Sequence, residues 1–162
     1  MVRHFLLFSS LSLLINCGAA PTSTTSGTSK SALAEHIALL QKNKALWKEA
    51  NIRDYEFTYQ ATGGCGDPMP PVVISVKDGV VSSVYVPDFG TYESIGSWPS
   101  IDGVFDSLTQ AAVKNPLVFA LGASTPNTPP AFDAKYGFPT KISVDPSDAK
   151  CDDSQFTIRD FK

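Results

Sequence analysis

Apolar and polar residues alternate with a period of two from Asp54 to Ala61. Tyr55, Phe57, Tyr59 and Ala61 fall on one face and Glu56, Thr58 and Gln60 on the other, which predicts a half-buried strand. Before it the period is helical: Leu33, Ile37, Leu40 and Trp47 line one side of Ser31–Ala50, and Ser31 can act as the N-cap. His36 falls beside that stripe and reads as a partly exposed helix histidine. After the strand, TGGCGDPMPP supplies glycines and prolines that cannot continue a ladder. VVISVKDGVVSSVYV then reads as a hairpin, because Asp78-Gly79 suits a two-residue turn with positive φ. The expected register sets Val76 opposite Val81, Ile74 opposite Ser83 and Val72 opposite Tyr85. That face is largely apolar and should meet the core, with Ser75, Lys77 and Ser82 on the wetter side.

The pattern then repeats in order, though not as a sequence repeat. PDFGTYESIGSWPS predicts a loop carrying three aromatics, Phe89, Tyr92 and Trp98. Ser100 caps a second helix whose stripe is Ile101, Val104, Phe105, Leu108 and Ala112, bounded by Pro116. LVFALGASTPNTPP starts apolar and ends rich in proline, which suggests a short buried turn leading into a surface loop. Three short strands follow, AFDAKYG, TKISVDP and SQFTIRDF, and in the last Phe156 and Ile158 share a face. A tight turn at GFP and a longer acidic one at DPSDAKCDD separate them. Runs of adjacent strands favour antiparallel pairing, so the expected fold is α+β: a mainly antiparallel sheet of about six strands with two helices packed on one face.

The start of the chain has a different character. Arg3 and His4 precede an apolar run from Phe5 to Ile15, the profile of an export signal. The run is too short to span a bilayer, which takes about 20 apolar residues. Pro21 after Ala20 disfavours an ordinary signal-peptidase cut there. Leu14-Ile15-Asn16-Cys17 instead resembles a bacterial lipobox, with Asn16 in place of the usual Gly, Ala or Ser. Residues 1–16 are then a signal peptide, and Cys17 is the lipidated first residue of the mature chain. Pro21 to Lys30, with an unbroken Thr/Ser run from Thr22 to Ser26, has nothing apolar to bury. Residues 17–30 therefore read as a flexible tether and residues 31–162 as one domain. The expected location is a bacterial cell envelope, at its periplasmic face or surface; the alternative is a plain secretory signal and a secreted protein.

Charge and composition narrow the chemistry. The chain has 162 residues, 13 Lys and Arg against 16 Asp and Glu, and a net charge of −3. It shows no basic stripe, which argues against nucleic acid. With His4 lost alongside the signal, His36 is the only histidine left, so a His-rich zinc site or a Ser-His-Asp hydrolase has little to draw on. G-x-S-x-G, H-E-x-x-H and phosphate-loop motifs are absent. No cofactor and no metal is expected. Asp145, Asp148, Asp152 and Asp153 sit in one turn, but their spacing does not fit an EF-hand loop, and a solvated acidic turn accounts for them.

Cys65 and Cys151 form an even pair in what reads as an exported domain. The first strand runs towards Cys65 and the last starts just after Cys151. If these strands are antiparallel neighbours, the two cysteines meet as a disulfide.

Several features resemble a family when taken in order: Trp47 closing the first helix; the aromatic strand Tyr55, Phe57, Tyr59; ISVKDG; Val104-Phe105 in the second helix; Tyr136-Gly137-Phe138-Pro139; and Asp152-Asp153 before the last strand. They look like a family of bacterial exported lipoproteins known only as a domain of unknown function, over most of Leu46–Phe161. That resemblance implies an address and a fold class and no reaction.

Two classes of function stay open. One is a lipid-anchored, non-catalytic binding or structural module that meets an unidentified protein or envelope ligand. Phe89, Tyr92 and Trp98 are its candidate contacts, with the alternative that Tyr92 and Trp98 fold back over the sheet edge. The other is an envelope hydrolase using loop carboxylates such as Asp133 with Asp145. The missing histidine and nucleophile motifs favour binding.

Overall fold

A computed structural model describes residues 30–114, 131–144, 149 and 151–162. Its first element is α1, Lys30–Ala50. Ser31 lies inside this helix rather than ahead of it. The buried side of α1 runs through His36, Leu40, Asn43 and Trp47, spaced at helical intervals. His36 is thus buried, only 6% exposed, where the sequence suggested partial exposure. Burial of the ring lowers its pKa, against a smaller opposing effect of Glu35. Asn43 satisfies its own amide by donating to the Leu39 carbonyl at 2.8 Å.

Among the described residues seven strands follow, against about six expected from the pattern: β1 Tyr55–Gly63, β2 Val72–Lys77, β3 Val80–Val86, β4 Thr91–Tyr92, β5 Ala131–Phe132, β6 Pro139–Val144 and β7 Ser154–Arg159. The extra strand is β4, hidden in the aromatic loop, where two residues are too few to show a period. The expected strand AFDAKYG shortens to Ala131–Phe132. Asp133 ends it by accepting from the amides of Lys135 (3.0 Å) and Tyr136 (2.7 Å) in a side-chain-stabilised turn. All pairs are antiparallel, in the order β4-β3-β2-β1-β7-β6-β5. The second helix, α2, spans Ile101–Lys114. Its Ser100 cap forms as expected, Oγ accepting from the Gly103 amide at 3.2 Å.

The β2–β3 register departs from expectation. Asp78 (φ 52°) and Gly79 (φ 80°) make the turn, and Val76 faces Val81 as anticipated. Beyond that, Ser75 pairs with Ser83, Ile74 with Val84 and Val73 with Tyr85, so Ser82 is an extra residue in a bulge. The cause is the spacing of the valines. Val84 and Val86 are buried and Val81 packs against the core, yet Val81 and Val84 are three residues apart. A regular strand would turn one of them outward; the bulge keeps all three inward.

One cluster of buried side chains unites the inward positions of β1, β2, β3, β6 and β7 with Leu40, Trp47, Ile101, Val104, Phe105, Leu108 and Ala112 of the helices. Lys44–Asp106 (2.8 Å) and Lys48–Asp102 (2.9 Å) bridge α1 to α2 at the surface. The Tyr55 hydroxyl accepts from the Ile101 amide at 3.1 Å, tying β1 to the first turn of α2. Burial pushes that phenol up to about 12. At one end of the core the rings of Trp47, Tyr55, Tyr136 and Phe138 all meet Phe161, with centroids 5.9, 5.5, 5.7 and 4.6 Å from it. Lys162 is held there as well: Lys162 and Glu56 exchange backbone hydrogen bonds at 2.9 and 3.0 Å, and the Lys162 ammonium reaches the Glu56 carboxylate at 2.8 Å.

Candidate functional site

Along β1 the inward residues change character. Tyr55 and Phe57 are buried, whereas Tyr59 and Ala61 are only half-buried. Around Tyr59 the described residues leave a groove. Phe156 of β7 stacks on the Tyr59 ring at 5.7 Å, and Trp98 meets it edge-on at 6.2 Å. A hollow of about 390 Å³ opens here, lined by Tyr59, Ala61, Met69, Glu93, Ser94, Trp98 and Pro99. It adjoins two smaller ones. The first, of about 240 Å³, shares Tyr59 and Pro99 and continues past Leu108 and Phe156. The second, of about 230 Å³, shares Ala61 and Met69 and reaches Asp67 and Asp153.

Local structure fixes the walls. The Trp98 amide donates to the Ile95 carbonyl at 3.3 Å, closing a 3-10 turn over Ile95–Ser97 that delivers the indole to Tyr59. Met69, 46% exposed, is pinned to β1: its amide donates to the Ala61 carbonyl at 3.2 Å, and its carbonyl accepts from Gln60 Nε2 at 3.3 Å. The loop that carries Met69 is tied at its start by the disulfide between Cys65 and Cys151, whose Cα atoms are 5.0 Å apart. Burial raises the pKa of the Tyr59 phenol, so it is a neutral hydrogen-bonding group at ordinary pH.

The three candidate aromatics do not lie together. Tyr85 alternates with the buried Val84 and Val86, so it faces outward, and its partner Tyr92 shares that side, ring on ring at 5.2 Å. Trp98 is on the opposite side of the sheet, over Tyr59. Phe89 sits in the turn between β3 and β4. Phe89 and Tyr92 are 69% and 73% exposed, while Trp98 is half-buried. Cys17, the segment 117–130, Asp145 and Asp148 lie outside the described residues, so the Asp133–Asp145 pair does too. Among the described residues, no three His, Cys, Asp or Glu side chains gather as a metal site requires. No described helix is long and apolar enough to cross a membrane.

Met69, Tyr59 and Phe156 escaped the sequence reading as site residues. Period-two alternation marks Tyr59 and Phe156 as inward but cannot tell a covered inward position from an open one. Met69 lies in a proline-rich loop with no period at all.

The architecture defines an α+β protein on a single, wholly antiparallel sheet, with an aromatic groove towards the far end of its central strand. Within that class the chain belongs to a family of unknown function, DUF6174, whose sequence profile matches residues 39–162. The matched span runs from α1 to the last residue and takes in every element of the sheet. No curated protein and no solved structure matches the chain.

Proposed function

We propose that this protein is a non-catalytic binding module, held at a bacterial cell envelope by a lipid on Cys17, that engages a ligand in the hollow beneath Trp98. In this reading both helices pack on the inward face of the sheet, and the length of β1 they leave uncovered is the binding surface. The hollow itself is the observation that carries the proposal. Its size falls within the usual range for ligand pockets, and it is lined by aromatic, methionine and proline side chains with few polar groups. Among the described residues Glu93 is the single carboxylate on its wall, which suits a contact better than paired acid–base chemistry. The tether would let the domain sample space above the membrane while the anchor retains it, and a multi-acyl cysteine anchors stably because each buried methylene adds about 0.8 kcal/mol.

The test is capture by chemical crosslinking in intact envelopes, with the full chain as bait. Trp98→Ala and Met69→Ser should each reduce capture strongly while the melting temperature moves little for Met69→Ser. Undiminished capture by both variants would refute the hollow as the binding surface. The anchor is tested separately: mass spectrometry of the detergent-extracted protein should find a diacylglyceryl group on Cys17, and Cys17→Ser should release the chain or block its processing.

A further inference from the structure

Among the described residues the walls of the groove carry negative charge. Across the three adjoining hollows the titratable side chains among the described residues are, besides Tyr59, Glu93, Asp67 and Asp153. Between these carboxylates the floor is apolar and aromatic. The hollows also follow one another: the 240 and 390 Å³ hollows share Tyr59, the 390 and 230 Å³ hollows share Ala61 and Met69, and Tyr59 and Ala61 are one inward step apart on β1. Alternate side chains of an extended chain recur at about 7 Å, so successive depressions along a strand match the same-side residues of an extended segment. Tyr59 offers a polar handle within the groove, its phenol being a hydrogen-bonding group on an otherwise largely apolar wall.

We propose that the groove binds an extended peptide segment in which an apolar side chain stands beside a lysine or arginine. The apolar group fills the hollow between Trp98, Tyr59 and Met69. The cation meets Glu93 or the Asp67–Asp153 end, where an acidic segment or an anionic headgroup would be repelled. An aromatic wall adds attraction for the same cation. This inference rests on the reading of the hollow as a binding site and adds the chemistry of its ligand.

The experiment is selection of phage-displayed random dodecapeptides on the full-length protein in detergent, followed by affinity measurement of the enriched peptides as synthetic, end-blocked molecules. Enrichment of sequences pairing an aromatic or aliphatic residue with Lys or Arg is expected. Their affinity should drop about thirty-fold with Trp98→Ala, as for a central aromatic contact, and about three-fold with Glu93→Gln, as for a rim charge. Glu93→Lys should shift the selected charge towards Asp and Glu. Enriched peptides that are neutral or acidic yet still depend on Trp98 would overturn the ligand chemistry while leaving the binding site standing. Peptides indifferent to Trp98→Ala, or no enrichment at all, would overturn it too, and the envelope-capture result for the same variant then shows whether the site fails with it.

Discussion

Gly137 lies against the backbone of Asn43. A Cβ at position 137 would stand 2.6 Å from the Asn43 carbonyl oxygen and 2.9 Å from the Leu46 side chain, and the residue's φ is 75°. The turn before β6 thus passes α1 at a distance only a hydrogen side chain allows. Gly137→Ala combines a disfavoured backbone angle with a clash against backbone that cannot move aside. It should destabilise the protein by about 3 kcal/mol in urea titrations, far more than Gly96→Ala, where a Cβ would meet nothing.

Phe161 should be another sensitive position. Four rings converge on it although it is the penultimate residue. Phe161→Ala is expected to cost about 2–3 kcal/mol, less than a fully buried phenylalanine because the residue is half-buried. Equilibrium unfolding followed by tryptophan fluorescence reads this directly, since Trp47 is in the same cluster.

The disulfide closes a loop of 86 residues. Chain-entropy arguments put the contribution of such a bond at about 4 kcal/mol. Cys65→Ser with Cys151→Ser should lower the melting temperature by a corresponding margin, and a reductant should do the same to the native protein. Ready thiol labelling of the folded, unreduced protein at either cysteine would contradict the pairing.

His36 gives the fold an acid sensitivity. Its pKa in the folded state lies below the ordinary value of 6.5, chiefly because burial disfavours the charged ring. The unfolded chain therefore takes up the proton first as pH falls. Stability should be complete above about pH 7 and decline as pH drops through the mid-6 range towards the folded-state pKa. Urea midpoints between pH 7.5 and 5 test this, and His36→Gln should flatten the decline.

Much of the fold was legible because local pattern and long-range packing agree over it. The α2 stripe, the Ser100 cap and the Asp78-Gly79 turn each follow from residues within a few positions of one another. The motifs that suggested a family are similarly explained: Trp47, Tyr55, Tyr136 and Phe138 are far apart in sequence and meet at Phe161. What stayed hidden depends on partners remote in the chain. Nothing within β3 announces that Ser82 bulges; the need arises from placing Val81, Val84 and Val86 on one core. The burial of His36 depends on what packs over α1. The groove was least legible of all, since it is defined by where cover stops, and Tyr92 and Trp98, close in sequence, were divided between the two sides of the sheet by β4 and the 3-10 turn.

The sheet order sets β7, made well after the strands beside it in the first half, next to β1, in the interior of the sheet rather than at its edge. A ribosome delivering this chain completes α1, β1 and the hairpin long before the strand that must lie against them exists. Until then β1 offers a bare backbone edge at the centre of the future sheet, the kind of edge that pairs with the wrong chain. Loss of β7 would not trim the molecule at its margin; it would part the two halves along their common seam. The order of synthesis thus makes the arrival of β7 the step that commits the two halves to one sheet, and contacts of such long sequence separation make that step slow.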